Sequence, residues 1–297
     1  LNFKTSLLNI LDESSIKIDE PMKKHTTFKL GGTSDFFVTP NNYLELQQIV
    51  DLCKNNNMKF YLLGNGSNTI VKDCGFNGVI IHTGNLNKVE IDGTKITAQC
   101  GALLPVLAQK ALRSSLSGME FISGIPGTVG GAVAMNAGAY GSEICSILQS
   151  VKVLTNNGSI LDLKKEEITF CHRHTDLQDK NFIILEASFR LTVGDESSIK
   201  LLMETLKQKR QASQPLEYPN AGSIFKKSGD FAAGYLIDNA GLKGINVGGA
   251  QISPKHANFI VNKDNATAYD VLTLIENIRE QVKEKYNITL DTEVIII

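Results

Sequence analysis

A chain of 297 residues with 42% hydrophobic and 21% charged side chains can bury more than one core and has none of the bias of a disordered or fibrous protein. A net charge of −1 removes the bulk electrostatic case for nucleic acid or an acidic membrane surface as partner. Apolar runs such as Val79-Ile80-Ile81 and Val294-Ile295-Ile296-Ile297 are far shorter than the roughly 20 residues that cross a bilayer.

In chain order, the first 20 residues mix Lys, Asp and Glu with Leu and Ile, without the basic-then-apolar layout of a secretion signal. Residues 43–57 have helical spacing, with Leu46, Ile49, Val50 and Cys53 on one face. Residues 59–63 read as a strand that feeds a glycine loop. Short strands are expected at 69–71, 78–82, 88–91 and 95–99, then a helix at 103–114. After a second glycine-rich stretch come strands at 150–155, 160–163 and 182–190. Character changes near Val193-Gly194-Asp195-Glu196. Residues 197–212 form a charged helix with Ile199, Leu202, Met203 and Leu206 as its apolar stripe. A loop with Pro215 and Pro219, a strand at 223–226, a helix at 232–239 and strands at 247–252 and 258–261 follow. A long helix spans 266–285, with Thr267 or Asn265 as its N-cap, and a strand over 288–297 closes the chain. The fold class is α+β, with one domain over 1–195 and a smaller one over 196–297.

The five cysteines, 53, 74, 100, 145 and 171, include no Cys-x-x-Cys pair, so reduced thiols in a cytoplasmic protein are expected. His172 and His174 are two apart, but nothing near them completes a ligand set, and no metal is expected.

Two glycine loops lie about sixty residues apart: Leu63-Gly64-Asn65-Gly66-Ser67-Asn68-Thr69 and Gly124-Ile125-Pro126-Gly127-Thr128-Val129-Gly130-Gly131-Ala132. Glycines let a backbone approach a ligand and turn N–H groups toward it, and two such loops suit a long, anionic, two-ended ligand such as a dinucleotide. A Rossmann site needs a helix directly after its glycines. Here an apolar, strand-like run follows the first loop and a small-residue stretch the second, neither a clear amphipathic helix.

These loops, with His25-Thr26-Thr27-Phe28-Lys29-Leu30-Gly31-Gly32, Pro219-Asn220-Ala221-Gly222-Ser223-Ile224-Phe225-Lys226, Ala240-Gly241-Leu242-Lys243-Gly244 and His256-Ala257-Asn258-Phe259-Ile260-Val261-Asn262, resemble the UDP-N-acetylenolpyruvoylglucosamine reductase family over the whole chain. The length is similar to its shorter, type II form. The resemblance implies a two-lobed FAD-binding domain of the vanillyl-alcohol-oxidase/PCMH type, with lobes of about 1–80 and 81–195 and FAD held non-covalently. The last third is then a substrate-binding domain. It implies NADPH as reductant, UDP-N-acetylglucosamine enolpyruvate as substrate and a monomer. The flavin would lie against Gly64, Asn65, Gly66, Ser67, Asn68, Thr69, Gly124, Ile125, Pro126, Gly127, Thr128, Gly130, Gly131 and Ala132, with Asn136, Gly138 and Ile183 nearby.

Reduction of an enol ether by hydride builds negative charge beside a carboxylate and then needs a proton. The resemblance assigns Arg173 to the anion, Ser223 to the proton and Glu293 to the intermediate. Departures from the family pattern are His172 and Thr175 around Arg173, and Ser213, Asn246 and Ile295 where basic residues are usual. Lys226, Lys227 and Arg210, with Gln214, are the candidates to hold the substrate's diphosphate in their place. Two other readings stay open: a same-fold enzyme acting on another nucleotide sugar, and a flavin-binding protein without turnover.

Overall fold

In the computed structural model, which describes residues 3–297, the buried apolar side chains gather into two separate cores. Each core belongs to its own compact unit. The larger holds the chain up to Lys17, Phe36–Asn65 and Gly78–Lys209; the smaller holds Ile18–Asp35, Gly66–Asn77 and Arg210–Ile297. The smaller unit recruits two early stretches, Ile18–Asp35 and Gly66–Asn77. The reason lies in hydrogen bonding. The Asn262 amide donates to the Phe28 carbonyl, and the Asp73 carboxylate accepts from the Ala268 and Tyr269 N–H groups at 2.9 and 2.8 Å.

The larger unit is built on a five-stranded antiparallel sheet in the order Ile160–Lys164, Leu148–Leu154, Ile183–Arg190, Lys95–Gln99, Val89–Asp92. Leu148–Leu154 alternates, burying Val151 and Val153 while Ser150 and Lys152 are only half-buried, the pattern of a sheet with one covered face. The Tyr43–Asn55 helix buries Leu46, Ile49, Val50 and Cys53 as its spacing predicts, and Asn42 caps it by accepting the Glu45 N–H at 2.9 Å. Burying each of those large apolar side chains contributes about 1.5–3 kcal/mol. The Phe60–Leu63 strand pairs in parallel with the second half of Phe76–His82, from Phe60 opposite Val79 to Leu63 opposite His82. One local expectation changes here: the second glycine loop runs into a six-residue helix, Val129–Ala134. Glycine disfavours helix, but Val129, Ala132 and Val133 are buried, and packing outweighs propensity.

The smaller unit is organised by the Ala268–Tyr286 helix. Its stripe of Ala268, Val271, Leu274, Ile275, Ile278 and Val282 is buried. Thr267 is the N-cap: its hydroxyl accepts from the Asp270 N–H at 3.1 Å while the Asp270 carboxylate accepts the Thr267 N–H at 2.9 Å. The helix packs on a meander of Asn246–Val247, Ala250–Ile252 and Ile260–Asn262. The continuous strand expected at 247–252 is broken at Gly248 and Gly249. Gly248 has φ +49° and lies so close to Asp270 that a Cβ would be 2.4 Å from the carboxylate. The strand expected over 288–297 is reduced to Ile295–Ile296, which pairs in parallel with Thr69–Ile70. Residues 223–226 are likewise not a regular strand; one bridge joins Phe225 to Thr292.

Candidate functional site

The two glycine loops, far apart in sequence, meet. The Asn65 amide donates to the Pro126 carbonyl at 2.6 Å, and Gly64 sits so close to Thr128 that a Cβ would lie 2.4 Å from its hydroxyl oxygen. Glycine at 64 is thus required by the contact and not by its backbone angles. Gly66 is different: its φ is +61°, and a Cβ would be 2.3 Å from the His25 carbonyl oxygen. Its own carbonyl accepts the Thr27 N–H at 3.2 Å, which ties this part of the loop to the His25-Thr26-Thr27 motif.

The N–H groups of Gly64, Asn65, Gly66, Ser67 and Asn68 meet no acceptor among the described residues. Buried or half-buried N–H groups are rarely left without a partner. Within the smaller unit, Gly66, Ser67 and Asn68 offer consecutive N–H donors beginning at a left-handed residue, an arrangement that suits phosphate oxygens. The residues present therefore fit the pyrophosphate of FAD. The short helix after the second loop offers no comparable end, because its first N–H groups, Val129 and Gly130, donate to the Ala102 and Cys100 carbonyls at 2.9 and 2.8 Å. Ala132 is buried, and a Cβ on Gly130 would meet Cys100 at 3.0 Å, so both lie against the protein interior. Gly124, Pro126 and Gly131 are exposed, and Ile125, Gly127 and Ile183 half-buried.

Arg173 stands in a two-residue turn between Phe170–Cys171 and His174–Thr175, with φ +57°. A bulky residue rarely adopts that angle, and three hydrogen bonds hold it there. Arg173 Nη2 donates to the Gly138 carbonyl at 3.1 Å, the Thr175 hydroxyl donates to the Ala134 carbonyl at 3.1 Å, and Asn136 Nδ2 donates to the Cys171 carbonyl at 3.3 Å. Gly138 has no room for a side chain, since a Cβ would come within 2.8 Å of Glu143 and 3.3 Å of the guanidinium. The expected flavin contact Asn136 is 1% exposed, and its amide is engaged within the protein. It donates to Glu143 Oε2 at 2.9 Å as well as to Cys171, and its oxygen accepts the Cys145 N–H. Thr175, one of the departures, is fully buried and holds the turn through its hydroxyl. His172 is exposed, and His174 is hydrogen-bonded to Asp179 at 2.9 Å.

In the smaller unit, Ser223 and Glu293 come from segments 70 residues apart in sequence that lie side by side. The Glu293 N–H donates to the Ile224 carbonyl at 2.8 Å, and Lys226 N–H to the Asp291 carbonyl at 2.9 Å. The Glu293 carbonyl accepts from the Asn68 amide at 3.1 Å, so the tail of the first glycine loop borders the same strip. Ser223 follows Gly222, whose φ of +76° turns the chain and where an added Cβ would meet nothing within 4 Å. Ser223 is half-buried, and none of the described residues hydrogen-bonds its hydroxyl. The backbone beneath it is pinned. Asn258 donates to the Phe225 carbonyl at 2.9 Å, accepts the Phe225 N–H at 3.0 Å and through its own carbonyl accepts the Ile224 N–H at 2.9 Å. The Thr27 hydroxyl donates to the Asn220 carbonyl at 2.7 Å.

Of the cations expected to face a diphosphate, Lys226 is half-buried and Lys227 exposed, and neither ammonium has a partner among the described residues. Arg210 is half-buried, and Gln214 keeps a buried side-chain oxygen that meets no donor among them. Ser213 and Asn246 are exposed, whereas Ile295 lies in the strand beside the first loop. Asn258 and Asn262 were legible only as motif letters. Their signal is two amides in an otherwise apolar run, which burial tolerates only when both are hydrogen-bonded.

The five cysteines are free thiols, no helix among the described residues is long and apolar enough to cross a membrane, and no three His, Cys, Asp or Glu side chains among them gather as a metal site would. Residues 34–164 match the family described as FAD binding domain, and 214–297 the one described as UDP-N-acetylenolpyruvoylglucosamine reductase, C-terminal domain. A UDP-N-acetylenolpyruvoylglucosamine reductase of Clostridium novyi is 46% identical over 297 residues, covering 100% of this chain and 97% of that protein. The crystal structure of the reductase from Thermus caldophilus aligns with a TM-score of 0.81 at 34% identity, over 95% of this chain and 97% of the other. A variant of Phl p 4, a glucose oxidase, aligns with a TM-score of 0.51 at 13% identity over 76% of this chain and 52% of its own, a likeness of fold alone.

Proposed function

The chain belongs to the UDP-N-acetylenolpyruvoylglucosamine reductase family, FAD-dependent oxidoreductases of peptidoglycan precursor synthesis with a PCMH-type FAD domain, and on that premise we propose how its residues divide the work. The backbone N–H groups of the first glycine loop, Gly64 to Asn68, hold the FAD pyrophosphate, and the second loop also serves the cofactor. FAD, reduced by NADPH in its turn, would supply hydride to the vinyl carbon of the substrate. The Arg173 guanidinium faces the substrate carboxylate and takes up the charge that develops on the enolate, a role that suits a fixed fork of donors. Ser223 gives its hydroxyl proton to the neighbouring carbon. Glu293 supports the same intermediate, and Lys226, Lys227, Arg210 and Gln214 hold the nucleotide diphosphate. The reduced thiols suit a cytoplasmic enzyme, and a single copy of the chain supplies every residue named.

The observation that carries this reading is the Ser223 hydroxyl, without a hydrogen-bond partner among the described residues, on a chain pinned just beyond it at Phe225. A weak acid such as serine donates usefully only when held against a strong base, so a fixed backbone with an uncommitted hydroxyl is the needed combination. The test is a stopped-flow comparison of the parent and Ser223→Ala. Flavin reduction by NADPH should proceed at the parent rate, while reoxidation by UDP-N-acetylglucosamine enolpyruvate should slow by at least about 100-fold, the range of general acid catalysis. Reoxidation at the parent rate would remove Ser223 from its role. Failure of the parent itself to be reoxidised by this sugar would instead favour another nucleotide-sugar substrate.

A further inference from the structure

We propose that Asn258 is a positioning residue for the reaction, fixing where the Ser223 hydroxyl points; the proposal rests on the proton-donor reading of Ser223. Two features of the chain around the serine make a clamp necessary. On its N-terminal side Gly222 has φ +76° and open space where a Cβ would stand, so the turn there is held by one hydrogen bond, from the Gly222 N–H to Asn220 Oδ1 at 2.9 Å, which does not reach past the serine. On its C-terminal side residues 223–226 are not a regular strand, so no full ladder of hydrogen bonds sets their direction.

Asn258 replaces that ladder. Its amide makes both hydrogen bonds that a paired strand would offer Phe225, accepting the N–H at 3.0 Å and donating to the carbonyl at 2.9 Å. Its backbone carbonyl takes the Ile224 N–H at 2.9 Å, so two consecutive residues after the serine are held by one asparagine. Asn258 is 8% exposed, and burial makes the pairing obligatory for both partners. The anchor is itself fixed from the other end of its motif. Asn262, 9% exposed, accepts the Ala266 N–H at 2.8 Å and donates to the Phe28 carbonyl at 3.1 Å, and Val261 bridges to Asn220. Only the amide has the required pattern. An aspartate still accepts from Phe225 N–H, yet places an oxygen against the Phe225 carbonyl where a donor stood. Misplacing a reacting group by about 1 Å costs on the order of 100-fold in rate.

The experiment uses the FAD-loaded enzyme with Asn258→Asp and the milder Asn258→Ser, which keeps one short hydrogen-bonding group and guards against a variant that fails to fold. Each half-reaction is followed by flavin absorbance. Reduction by NADPH should stay within about twofold of the parent, while reoxidation by UDP-N-acetylglucosamine enolpyruvate slows at least about tenfold, with a larger solvent deuterium isotope effect and a smaller change in KM than in kcat. In a Ser223→Ala background the same Asn258 substitutions should change reoxidation by less than about twofold, because the group they position is gone. Equal slowing of both half-reactions, or an undiminished cost in the Ser223→Ala background, overturns the positioning role and leaves Asn258 as ordinary structure. A Ser223→Ala enzyme that reoxidises normally overturns the donor reading itself, a separate and recognisable failure.

Discussion

Gly64→Ala is the sharpest probe of the paired loops. The new Cβ would stand 2.4 Å from Thr128 Oγ1, 3.2 Å from its Cγ2 and 3.3 Å from its Cβ. Thr128 cannot easily retreat: it is 4% exposed, its carbonyl accepts the Ala132 N–H at 2.8 Å, and the next residue is tied to Ala102 at 2.9 Å. Gly64 is not in the left-handed region, so backbone strain adds nothing and the whole effect comes from crowding. Overpacking of this kind costs about 1–3 kcal/mol. Because FAD binds the state in which the loops are in contact, that energy converts to an FAD affinity lower by about 5- to 150-fold. Titrating apoprotein with FAD and following flavin fluorescence measures the loss, and a thermal melt reports the same strain without cofactor. Thr128→Ala removes the two nearest atoms, so Gly64→Ala/Thr128→Ala should recover most of the affinity that Gly64→Ala loses. Parent-like affinity in Gly64→Ala, or no recovery in the double variant, would refute the close contact of the loops.

Asp270→Asn should lower the melting temperature at neutral pH, since the carboxylate caps the long helix and holds Gly249 N–H at 3.3 Å, together worth about 1 kcal/mol. Burial alone would raise this carboxyl, but the Thr267 and Gly249 hydrogen bonds leave it below the usual aspartate value. Its contribution is therefore complete above the unfolded value near pH 4 and fades as pH falls through the folded one, so melts of parent and variant should converge in acid. Thiol labelling followed by peptide mass spectrometry should modify Cys74 and Cys171 in the native protein and spare Cys53 and Cys100. Burial excludes the latter pair from solvent and pushes both thiols up to about 12. Rapid native labelling of Cys100 would contradict its place beneath the second glycine loop.

Long periodic segments were legible in the sequence because their pattern repeats several times. The stripe of Leu46, Ile49, Val50 and Cys53 and the Thr267 cap needed no tertiary information. Two-residue strands carry no period: a strand was expected at 69–71 and a longer one over 288–297, but neither the pairing of Thr69–Ile70 with Ile295–Ile296 nor the hairpin that presents Arg173 could be read from spacing. The glycine loops were recognised as special, but glycine alone does not say what comes close. At Gly64 it is the other loop, at Gly66 the His25 carbonyl, and at Gly138 the guanidinium and Glu143. Asn136 shows the converse. The resemblance places it near the flavin, and burial also engages its amide in holding three pieces of backbone and side chain together. The family resemblance brought Arg173, Ser223 and Glu293 to attention, and it could not reveal that Asn258, quoted only as a letter of its motif, grips the segment of one of them.

The strand pairing of Thr69–Ile70 with Ile295–Ile296 also sets a clock on the ribosome. The first glycine loop leaves the exit tunnel early, but the partner that flanks it is translated more than two hundred residues later. At about 5–20 residues per second the loop waits roughly 10 to 50 seconds for that partner. The stretches Ile18–Asp35 and Gly66–Asn77 wait likewise for Asn220, Asn262 and Ala268. The larger unit can finish around its own sheet while these early pieces remain unpaired. A nascent chain stalled before residue 290 should thus resist protease over its larger unit and be cut readily near residues 18–35 and 66–77, with protection arriving only once Ile295–Ile296 have left the tunnel.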